Sequence, residues 1–309
     1  MSKIVLLGSQ HQQSTLASAL KRVNARDPIA TITCGWQEVE SEEAEEIGAR
    51  ADRPIIQLKL HLRGDDVFQR DPEFFAAYRE RQNELRKLQD LYRLRLGHAL
   101  EASRELMWQN GKEELLEPER QDAIEAVRTL DQHHLRRMRE VHERFDEQWR
   151  LGEREVIAGH RRELAEQLEE AGAVVVAGGH VAVLLYRLRL FDLAPLLEKK
   201  PIAAWSAGAM VLAEHIVLFH DNPPQGQGNP ELLDNGLGLV RGVQPFPNAR
   251  RRLRVEDPVR VALLARRFAP STCAALNEDA ELYYDEGRWT ALPGTLRFSS
   301  SGKQIEFST

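Results

Sequence analysis

Hydrophobic and polar positions follow three rhythms along this chain. Short, continuously apolar runs occur at residues 4–7 (Ile-Val-Leu-Leu), 173–176 (Ala-Val-Val-Val) and 202–205 (Ile-Ala-Ala-Trp). Runs of this kind predict strands buried on both faces of a parallel sheet. Residues 29–36 (Ile-Ala-Thr-Ile-Thr-Cys-Gly-Trp) predict a second strand, and residues 54–61 a further strand or an extended lead into the next region. Residues 181–198 predict the crossover helix between the two later strands. The acidic run at 38–46 either caps a helix or stays solvated.

The second rhythm is helical and occupies the middle of the chain. From Asp71 to about Glu170 the sequence is dense in Glu, Arg, Gln, Leu and Lys. Asp71 followed by Pro72 is a helix start, with Asp as cap and Pro at the first helical position. Phe74, Phe75, Tyr78, Leu85, Leu88, Leu91, Tyr92 and Leu96 then recur at helical spacing, and Asn110-Gly111 interrupts them. A second stretch starting near Pro118 carries Ile124, Val127, Leu130, Leu135, Met138, Val141, Phe145 and Trp149, and continues through Gly152 to Leu168. Unbroken helices of about 36 and 50 residues would project roughly 50 to 75 Å. The prediction is a long antiparallel helical hairpin over 70–168, inserted into an α/β domain formed by 1–69 and 169–309. Such an arm is either a self-packed structure with charged outer faces or a surface for homodimerisation or a protein partner. The third rhythm is an alternation beyond Ala280, with a hairpin turn at Asp285-Glu-Gly287, which predicts antiparallel strands extending the main sheet.

Composition narrows the function classes. Of 309 residues, 42% are hydrophobic, enough for a substantial core, and the net charge of −6 gives no electrostatic case for nucleic acid. Cys34 and Cys273 lie far apart without metal-ligand spacing, so the expectation is a reduced, cytoplasmic protein. The apolar run at the N-terminus is too short for a signal peptide or membrane span. His133 and His134 face different directions on a helix, and His134 and His142 stand two turns apart, too far for a simple chelate. No metal and no cofactor are expected.

The chemistry concentrates at residues 201–209, Pro-Ile-Ala-Ala-Trp-Ser-Ala-Gly-Ala. A strand that turns sharply into a helix through a serine between small residues is a nucleophile elbow, although Ala204 stands where the strict G-x-S-x-G pattern has glycine. Ser206 is then held out above the sheet, beside a helix N-terminus. Upstream, the 173–176 strand ends in Gly178-Gly179-His180. These glycines let backbone N–H groups approach a ligand, as an oxyanion hole requires. Gly179 and Ala207 are the candidate donors.

The Gly178-Gly179 turn, residues 205–209 (Trp-Ser-Ala-Gly-Ala), 236–242 (Gly-Leu-Gly-Leu-Val-Arg-Gly), the basic stretch 250–254 and 276–282 (Leu-Asn-Glu-Asp-Ala-Glu-Leu) follow one another in a familiar order. The chain resembles the dipeptidase E and cyanophycinase group of serine peptidases over about 170–290 and the first strand. The resemblance implies a flavodoxin-like α/β fold of the class I glutamine amidotransferase type, with a mostly parallel sheet and helices on both faces. It implies Ser206 as nucleophile, Glu278 as acidic triad member, and Arg250 and Arg251 near the site as ligands for a substrate carboxylate. An exposed helix start is the alternative reading of those arginines. Glutamine amidotransfer is disfavoured because that chemistry needs cysteine at the elbow.

The resemblance breaks at the general base. Family members carry a histidine shortly after the Gly-Leu-Gly-Leu segment, in a stretch like Pro-His-Phe or Gln-His-Phe. Here residues 243–249 read Val-Gln-Pro-Phe-Pro-Asn-Ala, and no histidine follows His220. A serine hydroxyl needs a base to remove its proton. His180 is the first candidate, with His11, His215 and His220 behind it. His215 is expected on the helix after Ser206, pointing away. The leading expectation is a serine hydrolase acting on a small acidic peptide or amide. The alternative is a catalytically inactive scaffold, a pseudoenzyme whose arm recruits a partner.

Overall fold

The computed structural model describes residues 3–10, 14–220 and 228–308. Its main sheet contains β1 (Ile4–Leu7), β2 (Ile29–Ile32), β3 (Ile55–Gln57), β4 (Ala173–Val176) and β5 (Ile202–Trp205), all parallel. Around them stand α1 (Leu16–Arg22), α2 (Glu40–Ala51), α3 (Leu60–Arg70), α4 (Pro72–Trp108), α5 (Glu113–Trp149), α6 (Glu155–Glu170), α7 (Val181–Leu190), α8 (Ala194–Leu197) and α9 (Ala207–Leu212). The remainder comprises β6 (His215–Leu218), β7 (Glu231–Asn235), β8 (Val243–Pro247), α10 (Ala249–Arg252), α11 (Pro258–Phe268), β9 (Thr272–Leu276), β10 (Glu281–Asp285), β11 (Arg288–Ala291), β12 (Leu296–Phe298) and β13 (Gln304–Glu306).

The main sheet runs in the order β11-β10-β1-β5-β4-β2-β3. The stretch from β3 to β5 repeats the first four places of the flavodoxin order 2-1-3-4-5, and the N-terminal strand β1 takes the fifth. Successive residues of each strand point to opposite faces. Val174 and Val176 pack into the core that also holds Leu6, Leu184 and Leu188, whereas Ala173 and Val175 pack with Leu16, Leu20 and Ile47 of α1 and α2. Burial on both faces is what the continuous apolar runs encode.

The tail divides between two sheets. β10 and β11 extend the main sheet through the two-residue turn Glu286-Gly287, both at positive φ, as a right-twisted hairpin requires. β12 and β13, expected there too, instead join β9 and β8 in a separate sheet of order β13-β12-β9-β8. Alternation reports which face is buried but not which sheet supplies the partner. Further differences concern helix limits. The 181–198 crossover is broken into α7 and α8 at Asp192, where φ is +50°. The acidic run feeds α2, and Glu40 turns inward to accept the free N–H groups of His61 (3.1 Å) and Leu62 (2.9 Å) at the start of α3. That carboxylate is a helix cap supplied by another element.

The helical arm consists of α4 and α5, 37 residues each, or about 55 Å long. Asp71 caps α4 through the Phe74 N–H at 3.1 Å, with Pro72 in the first turn. α5 starts five residues before Pro118 and ends at Trp149, not Leu168, because Arg150 enters the left-handed region (φ +42°) and turns the chain into α6. Nor does the arm project. Its inner stripe lies on α11 and on the β6–β7 hairpin. Phe74 and Phe145, with ring centroids 5.8 Å apart, close its base. Each such buried aromatic contributes roughly 1.5–3 kcal/mol relative to exposure.

The seam between arm and body is also bonded by polar groups. Asp131 of α5 accepts from Arg267 Nε (2.6 Å), Arg267 Nη2 (2.7 Å) and Tyr92 Oη (2.6 Å), all buried. Gln89 donates to Leu232 O at 3.0 Å, and Arg93 grips Glu231 with two bonds of 2.8 and 2.9 Å. His134 stacks on Tyr92 with centroids 4.0 Å apart, and His142 Nε2 lies 2.8 Å from Asp234. Of the arm histidines, His134 serves packing and His142 the seam.

Candidate active site

Three strand ends converge at the carboxyl edge of the sheet, where its order reverses. This is the place at which open α/β sheets bind ligands. β2 leads to Gly35, β4 to Gly178 and Gly179, and β5 to Ser206. The His180 N–H donates to Gly35 O at 2.6 Å, tying the first two loops together. A Cβ on Gly179 would lie 2.3 Å from Gly35 C, and its φ of +94° also favours glycine.

Ser206 has φ +53° and ψ −126°, between the last residue of β5 and the first of α9. A non-glycine residue held in so sparse a region costs on the order of 1–3 kcal/mol, and such strain clusters at functional sites. The turn is tight enough that a Cβ on Gly208 would stand 2.2 Å from Val176 O. On its other side, a Cβ on Gly178 would meet Ser206 Cβ at 2.9 Å and Oγ at 3.1 Å. The small residues expected around the serine line this tight strand-to-helix turn, with Ala204 fully buried in the sheet.

Ser206 opens into a cleft of about 350 Å³ shared with Gly179, Ala207, His220, Glu231 and Arg252. Among the described residues the Ser206 hydroxyl makes no hydrogen bond. The guanidinium of Arg252, a partly buried residue, has no ion-pair or hydrogen-bond partner among them either, and burial lowers its pKa. Glu231 is different: Arg93 neutralises it from α4, so the arm sets the charge of the cleft. A guanidinium and an imidazole thus share the cleft with the serine and one compensated carboxylate. That balance favours an anionic ligand.

Other residues singled out in the sequence lie elsewhere. His180 caps α7, its Nδ1 accepting from Val183 N at 3.3 Å, and it lines a neighbouring cavity between α4 and α7. Glu278 pairs with Arg251 at 2.5 Å and does not line the serine's cleft. Arg250 is exposed, its N–H capped by Asn277 Oδ1 at 2.9 Å. The structure therefore brings Ser206, Gly179 and Ala207 together but not His180, Glu278, Arg250 or Arg251. His215, expected on the helix after Ser206, begins β6 because α9 ends at Leu212; burial lowers its pKa. His11 lies outside the described residues. Pro245 stands between Gln244 and Phe246 in β8, where a Gln-His-Phe stretch has its histidine.

The sequence model of peptidase family S51 matches residues 125–290, over half of the chain. The chain belongs to peptidase family S51. The match starts inside α5 and takes in the elbow, the β6–β7 hairpin and Glu278, leaving α4 and the first three strands outside it. This is the dipeptidase E and cyanophycinase group that the motifs resemble. Among solved structures, a peptidase from an acI-B1 Actinobacterium is similar over 99% of this chain and 97% of its own, at 13% identity and a TM-score of 0.46. No curated protein matches. Among the described residues of this S51 chain, no helix is long and apolar enough to cross a membrane.

Proposed function

We propose that this S51 chain is a serine hydrolase that cleaves a small acidic peptide or amide, with Ser206 as nucleophile and His220 in place of the family histidine. The observation that carries the reading is the strained Ser206 turn opening on a cleft that holds His220 and an Arg252 guanidinium unpaired among the described residues. His220 follows β6 by two residues, so a hairpin fixed against the arm delivers it to the cleft.

In the proposed cycle, Ser206 Oγ attacks the substrate carbonyl while His220 takes its proton. The carbonyl oxygen becomes an oxyanion, stabilised by the N–H groups of Ala207 and Gly179 at the start of α9 and the end of the glycine turn. His220 then passes the proton to the leaving amine, and an acyl-serine remains. Water, deprotonated by the same imidazole, releases the acid and restores Ser206. Arg252 binds the substrate's carboxylate, a group suited to a guanidinium fork. The roles expected of His180, Arg250 and Arg251 pass in this reading to His220 and Arg252, and Glu278 stays paired with Arg251.

The test is release of amine from acidic dipeptides and from their Asn or Gln counterparts. Wild type should prefer the acidic member, His220→Ala should lose turnover, and Arg252→Gln should lose the preference. Turnover unaffected by His220→Ala would remove the proposed base.

A second reading, an inactive scaffold with the arm as a dimerisation or partner surface, draws on Leu91, Leu94, Trp108 and Leu115. All four are at least half exposed on the arm. Equilibrium sedimentation of wild type and Leu94→Glu separates it from the first: a dimer dissolved by the substitution would support the surface.

A further inference from the structure

Arg81 of α4 is 91% removed from solvent, yet among the described residues its guanidinium makes no hydrogen bond (relative exposure 9%). Its Nε is buried without a partner, and its one carboxylate neighbour is Asp146 at 4.0 Å, whose own side chain is half exposed. The group is instead held between two rings, 4.5 Å from the Tyr78 centroid and 4.2 Å from that of Phe145. A cation taken out of water without hydrogen bonds is costly, and buried polar groups in folded proteins are nearly always paired. The rings hold the guanidinium in place but do not satisfy its donors.

Arg81 lines a cavity of about 390 Å³ between the base of the arm, α7 and β7. This volume lies at the lower end of the range for small-molecule sites, roughly 300–1,000 Å³. No residue lining the Ser206 cleft lines this cavity. The lining includes the apolar Phe74, Phe145, Leu151, Leu188 and Leu237. It also includes Asp234, already held by Arg189 at 3.0 and 3.3 Å and by His142. Arg189 is therefore committed, and Arg81 is the buried cation with donors to spare.

We propose that this cavity is a second binding site, taking a small organic monocarboxylate with an apolar body whose carboxylate pairs with Arg81. A planar guanidinium matches a carboxylate through two parallel hydrogen bonds. Arg81, Arg139 and Arg189 are matched in the lining by Asp146, Asp192 and Asp234, so the cavity offers no excess positive charge for a dianion such as phosphate. The apolar wall selects against a bare carboxylate. The site stands independently of the hydrolase reading, because neither Ser206 nor His220 contributes to it.

Calorimetric titration of the full chain with N-acetyl-leucine, N-acetyl-leucinamide and inorganic phosphate tests the proposal. N-acetyl-leucine should bind, and the amide and phosphate should each bind about tenfold more weakly or worse. Arg81→Met should weaken the acid by a similar factor, and Arg81→Lys by less. Binding should persist in Arg252→Gln, which separates this site from the serine's cleft. Without ligand, Arg81→Met should unfold at the same temperature as wild type or higher, since it removes an unsatisfied buried charge. No binding of the acid, equal binding of acid and amide, unchanged binding in Arg81→Met, or a ligand-free Arg81→Met that unfolds well below wild type would each overturn the proposal.

Discussion

The Ser206 cleft and the seam between arm and body treat polar groups in opposite ways. In the seam, Asp131, Arg267 and Tyr92 satisfy one another completely enough to be buried together. In the cleft, a strained serine and an arginine stand without side-chain partners among the described residues. Unpaired groups cost stability, and they persist where a ligand or a transition state completes them. The seam is built for rigidity and the cleft for an incoming group. Arg81 is instructive because it sits beside the seam but has the character of the cleft.

The largest expected effect lies in the seam. Asp131→Ala leaves Arg267 buried and uncompensated and should cost about 3–5 kcal/mol in urea unfolding, whereas the paired change Asp131→Leu with Arg267→Met should restore most of that. An Asp131→Ala loss below about 1 kcal/mol, in the range of surface ion pairs, would show that the seam is not rigid in this sense.

Asp234 gives a pH test of the same seam. Burial pushes its carboxyl up, but Arg189 and His142 outweigh that and hold it down at about 2. A carboxylate whose pKa is lower in the folded state stabilises the fold above its unfolded pKa, near 3.9, and loses that contribution as pH falls toward the folded value. Asp234→Asn should therefore reduce stability by about 2.5 kcal/mol at neutral pH, and the gap to wild type should close between about pH 4 and pH 2. A gap independent of pH would assign the effect to packing.

On the cleft side the effects are smaller and fall on function. Arg252→Gln should lower kcat/KM for an acidic substrate about tenfold, roughly 1.4 kcal/mol, and leave its neutral counterpart nearly unchanged. Equal losses on both would mean that Arg252 shapes the cleft without binding a carboxylate. Ser206→Gly should abolish turnover yet raise stability by up to about 1 kcal/mol, because glycine tolerates φ +53°. A destabilised glycine variant would mean that the hydroxyl supports the fold.

The sheet was legible because strands buried on both faces leave continuous apolar runs, and the elbow because its turn admits only small neighbours. Gly178, Gly179 and Gly208 mark positions where a Cβ would collide with neighbouring atoms. The cleft was less legible. Arg252 and not Arg250 or Arg251 enters it, and three consecutive arginines in a four-residue helix carry no signal of which one turns inward. His220 was one candidate among four because its position depends on the β6–β7 pairing, which brings Leu218 opposite Glu231. The docking of the arm was hidden for a related reason. Helical periodicity predicts an apolar stripe but not what covers it, and the residues that fix the arm to the body, Gln89, Arg93 and Asp131, read in sequence as members of a charged surface.

The most direct test of the central claim is intact-mass labelling with a fluorophosphonate probe on wild type, Ser206→Ala and His220→Ala. A single adduct in wild type, absent in Ser206→Ala and strongly slowed in His220→Ala, is the predicted result: an activated serine served by the hairpin histidine. No adduct on folded wild-type protein after prolonged exposure would contradict it and leave the elbow as an inherited shape without its chemistry.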